Sequence, residues 1–348
     1  MFRRLLAKRA RGPDAATPAR ARTGALAGVD ASQTDALVRR LEWTVVRRLD
    51  GLLQGNYRTL FRGFGLDFAD LREYHPGDDV RHIDWNVTAR LQTPYVREFQ
   101  EDREIAAWFL LDLSGSIDFG SGVVRKRDLL RDFTTVMALL LTRYGNRVGA
   151  VLYGGGAPDV ATSVVPPRPG RRQLLHLLDR MHATPAASPG NARTETRLRD
   201  LLDRARAAAK RRSVLFVVSD FISAPGWQAS LAMLARHHEV VAVRLVDPLE
   251  SALPDLGLVV LQDAETGEQM FVDTHDPAFR KRFAAAAETH ETELREAFQR
   301  AGVECLTLST HARLDLALLD FSRLRSRRPG IASGTARSTI KGKIEGAA

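Results

Sequence analysis

Asp112, Ser114 and Ser116 stand at alternating positions in the string IAAWFLLDLSGS, residues 105–116. A carboxylate with two hydroxyls is an all-oxygen donor set, which suits a hard cation such as Mg²⁺ and not zinc. No nucleophile with an adjacent base accompanies it, so the chemistry it points to is the holding of a metal. The residues before it say how it would be positioned. Residues 105–111 form a continuous apolar run of strand length, the pattern of a strand buried on both faces. Polar side chains just past the carboxyl end of a central parallel strand lie in the crevice where open α/β sheets bind ligands.

A second apolar strand, residues 214–218, likewise runs into polar residues, Ser219 and Asp220. Between the two, in a polar loop before a helix beginning at Leu198, lie Thr194 and Thr196. The chemistry-bearing residues therefore follow the order D-x-S-x-S, then Thr, then Asp. Each strand is followed by an apolar stripe of helical period. Helices are expected over residues 124–144, 171–181, 198–209 and 279–301, with another ending at Arg236. Strands are expected over 147–153, 239–246 and 303–308, with a short antiparallel edge strand over 160–165. Residues 258–261 and 269–272, separated by Thr266-Gly267, read as a small hairpin. The alternation makes the body α/β with an open, mainly parallel sheet flanked by helices.

Composition excludes several classes. The 348 residues include one cysteine, Cys305, so neither an intramolecular disulfide nor a cysteine-cluster metal site is available. Cys305 lies in the apolar segment VECLTL and reads as a strand residue. No apolar run reaches the ~20 residues of a transmembrane helix, and the basic N-terminus lacks an unbroken hydrophobic core. The expected location is the cytoplasm. The net charge of +9 resides in the ends of the chain. Residues 1–30 hold seven Lys/Arg against Asp14 and Asp30, and residues 322–348 hold seven against Glu345, which leaves the middle slightly acidic. Both ends read as basic disordered tails, which carry no specific nucleic-acid site.

Residues 32–49 have a helical stripe of Leu37, Leu41, Val45, Val46 and Leu49. The following stretch, residues 56–98, contains FRGFGLDFADLREYHPGDDVRHIDWNVTARLQTPYVRE. Its turn makers and alternating charges point to an ion-paired loop anchored by Tyr74 and Trp85. His75 and His82 lack a third ligand at metal spacing and read as structural. The expected division is a tail over 1–30, a helix and small β-rich appendage over 31–104, the α/β domain over 105–321, and a tail over 322–348.

The ordered set Asp112, Ser114, Ser116, Thr196, Asp220 resembles the metal-ion-dependent adhesion site of the von Willebrand factor type A fold. The upstream string RGFGLDFADLREYHPGDDVRHIDWNVTAR resembles the signature of the bacterial family called domain of unknown function 58, whose members carry a domain of that fold. It holds Asp67, Arg72, Tyr74, Gly77, Asp78, Asp79, Arg81, Asp84, Trp85 and Arg90, whose role is unknown. VSDF, DPLESALPDLGLV and ETGEQMFVD are similar to that family too, so the resemblance spans residues 52–328.

It implies a von Willebrand factor type A-like, Rossmann-like sheet and a bound Mg²⁺ or other divalent cation. Ser114 and Ser116 would ligate directly, the threonine directly or through water, and Asp112 and Asp220 through bridging waters. It also implies a partner protein that supplies an Asp or Glu carboxylate, a MoxR-type AAA+ ATPase or its client, with no catalysis by this chain. The chain departs from the family pattern at Thr196-Arg197-Leu198, where an acid is expected in place of Arg197. The apolar register of Leu198, Leu201 and Leu202 favours Thr196 over Thr194 as the ligand, and both stay open. The rival readings are a metal-dependent hydrolase or phosphoryl-transfer enzyme using Asp112 and Asp220, and nucleic-acid binding through the basic tails.

Overall fold

A computed structural model describes residues 5–8, 31–47, 49, 70–75, 80, 83, 85, 88–89, 92–98, 106–143, 145–154, 162–184, 196–263 and 268–327. In chain order the strands are β1 (Leu5–Lys8), β2 (Asp70–Glu73), β3 (Tyr95–Glu98), β4 (Ala106–Asp112), β5 (Arg147–Tyr153), β6 (Thr162–Arg168), β7 (Val214–Ser219), β8 (Glu239–Val246), β9 (Leu258–Asp263), β10 (Gln269–Asp273) and β11 (Glu304–Ser309). The helices are α1 (Ala31–Leu41), α2 (Lys126–Arg143), α3 (Arg171–Ala183), α4 (Leu198–Ala208), α5 (Trp227–His237), the short α6 (Pro248–Ser251), α7 (Pro277–Ala301) and α8 (Leu314–Arg327).

Six strands form the main sheet in the order β11-β8-β7-β4-β5-β6. All are parallel except β6, which runs antiparallel to β5 at the edge. From β4 the chain moves outward to β5 and β6, then returns to β4's other side to lay down β7, β8 and β11. The strand order therefore reverses between β4 and β7, and the carboxyl edge there opens the crevice in which such sheets bind ligands. The apolar runs expected to be buried on both faces are so. Ala107, Phe109 and Leu111 of β4 face a core shared with α1, α2, α3 and α8. Trp108 and Leu110 face the opposite core with α4, α5 and α7. The two-residue period of a strand sorts neighbouring side chains into these two layers.

The N-terminal helix is not part of an appendage. Val38, Leu41, Val46 and Leu49 are buried within the same core as Phe109 and Leu140, so the body of the protein begins at α1 and not at residue 105. The last helix likewise runs past 321 to Arg327, with Leu318, Leu319 and Ser322 buried. Part of the basic N-terminal segment is also ordered in a sheet. β1 pairs antiparallel with β9, which pairs with β10 in the expected hairpin. Val259, Leu261 and Val272 of this small sheet pack on Phe283 of α7. β2 and β3 form a separate antiparallel pair.

Candidate metal centre

Asp112 is the last residue of β4 and Asp220 the first after β7, so both acids stand at the reversal of the strand order. Asp112 has no exposed surface. Its Oδ1 accepts from the Ser114 N–H at 3.1 Å, and its Oδ2 accepts from the Ser219 hydroxyl at 2.7 Å. Ser219 in turn accepts from the Phe221 N–H at 2.9 Å. The chain leaves β4 into a short 3-10 turn, Gly115–Asp118, which lays Ser114 Oγ and Ser116 Oγ 3.3 Å apart. Both serines are buried. Burial, and after it the charge of Asp220, push the Asp112 carboxyl up to about 6, while the hydrogen bonds from Ser219 and Ser114 pull the other way.

Asp220 has both oxygens engaged. Oδ1 accepts from the Ile222 N–H at 3.1 Å, and Oδ2 accepts from the Lys126 ammonium at 2.8 Å. Lys126 is fully buried and donates also to Glu250 Oε1 at 2.6 Å. Burial alone would lower the lysine's pKa, but the two carboxylates outweigh it and hold it above the ordinary value. Glu250 is fixed from behind, its Oε2 accepting from the Asp247 N–H at 3.0 Å. That bond is half of a capping box on α6, since Asp247 Oδ1 accepts from the Leu249 N–H. Asp247 also accepts from the Ser121 N–H and the Thr310 hydroxyl. Burial would raise it, yet these donors hold it below the usual carboxylate range.

Thr196 is buried at the same edge. Its carbonyl accepts from the Ala224 N–H and the Ser223 hydroxyl, and the next residue's N–H donates to the Tyr153 hydroxyl at 3.0 Å. Tyr153 closes β5 directly opposite Asp112 in the register. Thr196 is thus tied between the ends of β5 and β7, whereas Thr194 lies outside the described residues. Phe221 follows Asp220 with a φ of +60°, a strained conformation for an aromatic residue. Its ring is held edge-on against Phe298 and beside Trp227.

Of the upstream signature, Asp67, Gly77, Asp78, Asp79, Arg81, Asp84 and Arg90, with His82, lie outside the described residues. Arg72 pairs with Val96 in the β2–β3 ladder, and the half-buried Tyr74 donates its N–H to the Pro94 carbonyl. Trp85 is 69% exposed, so its ring anchors nothing in a core. The exposed His75 bonds the Glu73 carbonyl. Cys305 lies half-buried in β11, with its thiol pushed up to about 11 by burial, which leaves it an inert strand residue.

Lys126, Ser219, Glu250 and Asp247 are the functional candidates that the sequence reading missed. The D-P-L-E string after β8 is a visible capping signal for the last two. Lys126 has no such signal, lying in the run RKR.

Ser114 and Ser116 could hold a hard divalent ion, with Asp112, Asp220 and Thr196 around them. Ligands about 2.0–2.1 Å from Mg²⁺ put adjacent oxygens about 2.9 Å apart, so the two hydroxyls need shift only a few tenths of an ångström. The paired buried acids, one with its pKa raised by burial and after it by the other's charge, also call for added positive charge. Among the described residues no group of three or more His, Cys, Asp or Glu is placed to hold a metal, so a site here would draw on hydroxyls.

The family described as "Protein of unknown function DUF58" matches residues 70–293. Uncharacterized protein Rv1480 of Mycobacterium tuberculosis is 37% identical over 306 residues, covering 88% of this chain and 93% of its own length. Uncharacterized protein Mb1516 of Mycobacterium bovis matches to the same extent. Among solved structures, the conserved hypothetical protein BatB from Bacteroides thetaiotaomicron is 10% identical with a TM-score of 0.38, covering 64% of this chain and 97% of its own. An aerotolerance-related membrane protein from Bacteroides fragilis is similar at 10% identity and a TM-score of 0.39, covering 64% of this chain and all of its own. No helix among the described residues is long and apolar enough to cross a membrane.

Proposed function

This chain belongs to the DUF58 family, and on that premise we propose that it is a non-enzymatic, metal-dependent protein-interaction module. We read the sheet as von Willebrand factor type A-like and the β4–β7 edge as a metal-ion-dependent adhesion site. One observation carries the reading. All four oxygens of Asp112 and Asp220 already accept from protein donors, and two buried hydroxyls face one another beside them. With a donor on every oxygen, we take the two acids to reach a cation through water, as the resemblance implies, and the neutral hydroxyls of Ser114 and Ser116 to be its direct protein ligands. A divalent ion held there keeps most of its charge and offers an open position to an outside carboxylate. Asp112 orients Ser114 through its backbone N–H, Ser219 fixes Asp112, and Thr196 is held by Ser223 and Ala224 at the rim.

The outside carboxylate would come from an Asp or Glu of a partner protein. We propose a MoxR-type AAA+ ATPase or its client, in the cytoplasm, with this chain as adaptor and the ATPase as the source of energy. The test has two parts. Mn²⁺ titration followed by electron paramagnetic resonance should give one bound ion in the wild type. Asp112→Ala should weaken it by about tenfold to a hundredfold, the usual cost of losing a supporting group at a metal site. A pull-down with the purified ATPase should retain it on wild type in Mg²⁺ and release it in chelator. Equal Mn²⁺ binding by wild type and Asp112→Ala, or retention untouched by chelator, would overturn the reading.

A further inference from the structure

Lys126 is a buried cation at this edge, of which the proposed function uses no more than its bond to Asp220. Its side chain has no exposed surface, while Arg125 before it is exposed. Burying an ammonium costs several kcal/mol unless it is well paired, so its inward turn needs a compensating role. The chain goes to some length to bring it in. Gly120 lets the loop after the 3-10 turn fold back on itself, since a Cβ there would lie 2.7 Å from Arg125 Cα and 2.8 Å from the Val124 carbonyl. The Lys126 N–H then donates to the Phe119 carbonyl at 2.9 Å, which seats the residue at the start of α2. Glu250 grips the ammonium from the far side, and the α6 capping box grips Glu250.

The ammonium lies on Asp220 Oδ2, and the Ile222 N–H occupies the other oxygen. An Asp at the end of a strand beside a divalent cation is otherwise well suited to become a direct, anionic ligand. Direct ligation by it would tighten the ion and also neutralise part of the charge with which the ion attracts anything else. We propose that Lys126 withholds Asp220 from direct coordination, trading metal affinity for attraction toward an outside carboxylate. Lys126 is thus a positioning residue that sets what the site binds. The assignment rests on the metal-site reading above and adds to it the residue that tunes it.

The experiment uses the full chain, with Mn²⁺ affinity read by electron paramagnetic resonance. Carboxylate affinity is read from the anisotropy of a fluorescein-labelled oligoglutamate peptide in saturating Mn²⁺. Lys126→Met removes the charge at similar length, and Lys126→Met/Glu250→Gln also removes the acid it would leave unpaired. Both should bind Mn²⁺ tighter by about tenfold and the peptide weaker by about tenfold, a supporting-group effect with opposite signs in the two readouts. The gain in Mn²⁺ affinity should vanish in Lys126→Met/Asp220→Asn. Asp220→Asn alone should weaken Mn²⁺ by no more than the tenfold to a hundredfold expected of Asp112→Ala, the cost of a support that acts through water, which tests the assignment even where the lysine variants fail to fold. A loss of Mn²⁺ affinity in Asp220→Asn well beyond that of Asp112→Ala would make Asp220 a direct ligand already and overturn the assignment. Mn²⁺ and peptide affinities that fall together in the lysine variants would reduce Lys126 to a structural ion pair. Absence of Mn²⁺ binding in the wild type would instead sink the metal-site reading itself.

Discussion

Burial and the neighbouring Asp220 hold the Asp112 carboxyl near 6, so at neutral pH the metal-free chain keeps one buried anion beside another. The folded chain therefore binds this proton more tightly than the unfolded chain, in which Asp titrates near ~3.9. The resulting stability is fully present below about pH 4 and is lost as pH rises through about 6, roughly 3 kcal/mol in all. Urea unfolding in chelator at pH 4 and pH 7 should show this loss in wild type but not in Asp112→Asn, which has no proton to release. At pH 7, Mg²⁺ at a hundred times the wild-type dissociation constant should restore about 2.7 kcal/mol to wild type but only about 0.4–1.4 kcal/mol to Asp112→Asn, if its affinity falls by about tenfold to a hundredfold. Equal pH slopes for the two proteins would remove the buried charge from the argument. Asp112 and Asp220 were legible in the sequence because each interrupts an unbroken apolar strand, where a charged residue stands out. Lys126 was not, since one of three adjacent cations at a helix start turns inward and only the fold decides which.

Helix α4 starts at a residue, Arg197, whose side chain makes no capping bond. The cap comes instead from another element: the Ser223 hydroxyl, in the loop after β7, accepts from the Leu198 N–H at 2.9 Å and donates to the Thr196 carbonyl. The start of α4 and the position of Thr196 thus depend on the loop that also carries Asp220. Ser223→Ala should lower stability by about 1 kcal/mol, the usual cost of a lost helix cap. Hydrogen exchange at residues 196–200 should quicken with it. Exchange left unchanged there would show that Thr196 is held by other means. Strand and helix positions along β4 to β11 follow the apolar periodicity closely, so these elements could be read before the fold was known. This contact could not, because Ser223 and Leu198 are joined only when β7 lies beside β4. That α1 packs into the main core was hidden for a related reason. The polar string after residue 56 marks off a segment, but periodicity alone does not say which core the preceding helix covers.

At the scale of the whole molecule, the candidate metal centre lies where the order of strands reverses, on a sheet covered by helices on both faces. One layer is completed by Val38 and Leu41 of the N-terminal helix, with Val46 and Leu49 just after it, which are packed with α2, α3 and α8 against β4 and β5. Four such side chains contribute about 6–12 kcal/mol on transfer from water, at about 1.5–3 kcal/mol each. This is an upper figure, because unfolded chains already bury some of this surface. It is nonetheless comparable to the whole stability of an ordinary domain, about 5–15 kcal/mol. A fragment spanning 105–327 should therefore lack a cooperative thermal transition, while one spanning 31–327 should keep it. The shorter fragment should also fail to bind Mn²⁺, because α2, which brings Lys126 to Asp220, would lose the helix packed against it. Cooperative melting of the 105–327 fragment close to the temperature of the full chain would return α1 to the standing of an attached segment and leave the sheet and its edge self-sufficient.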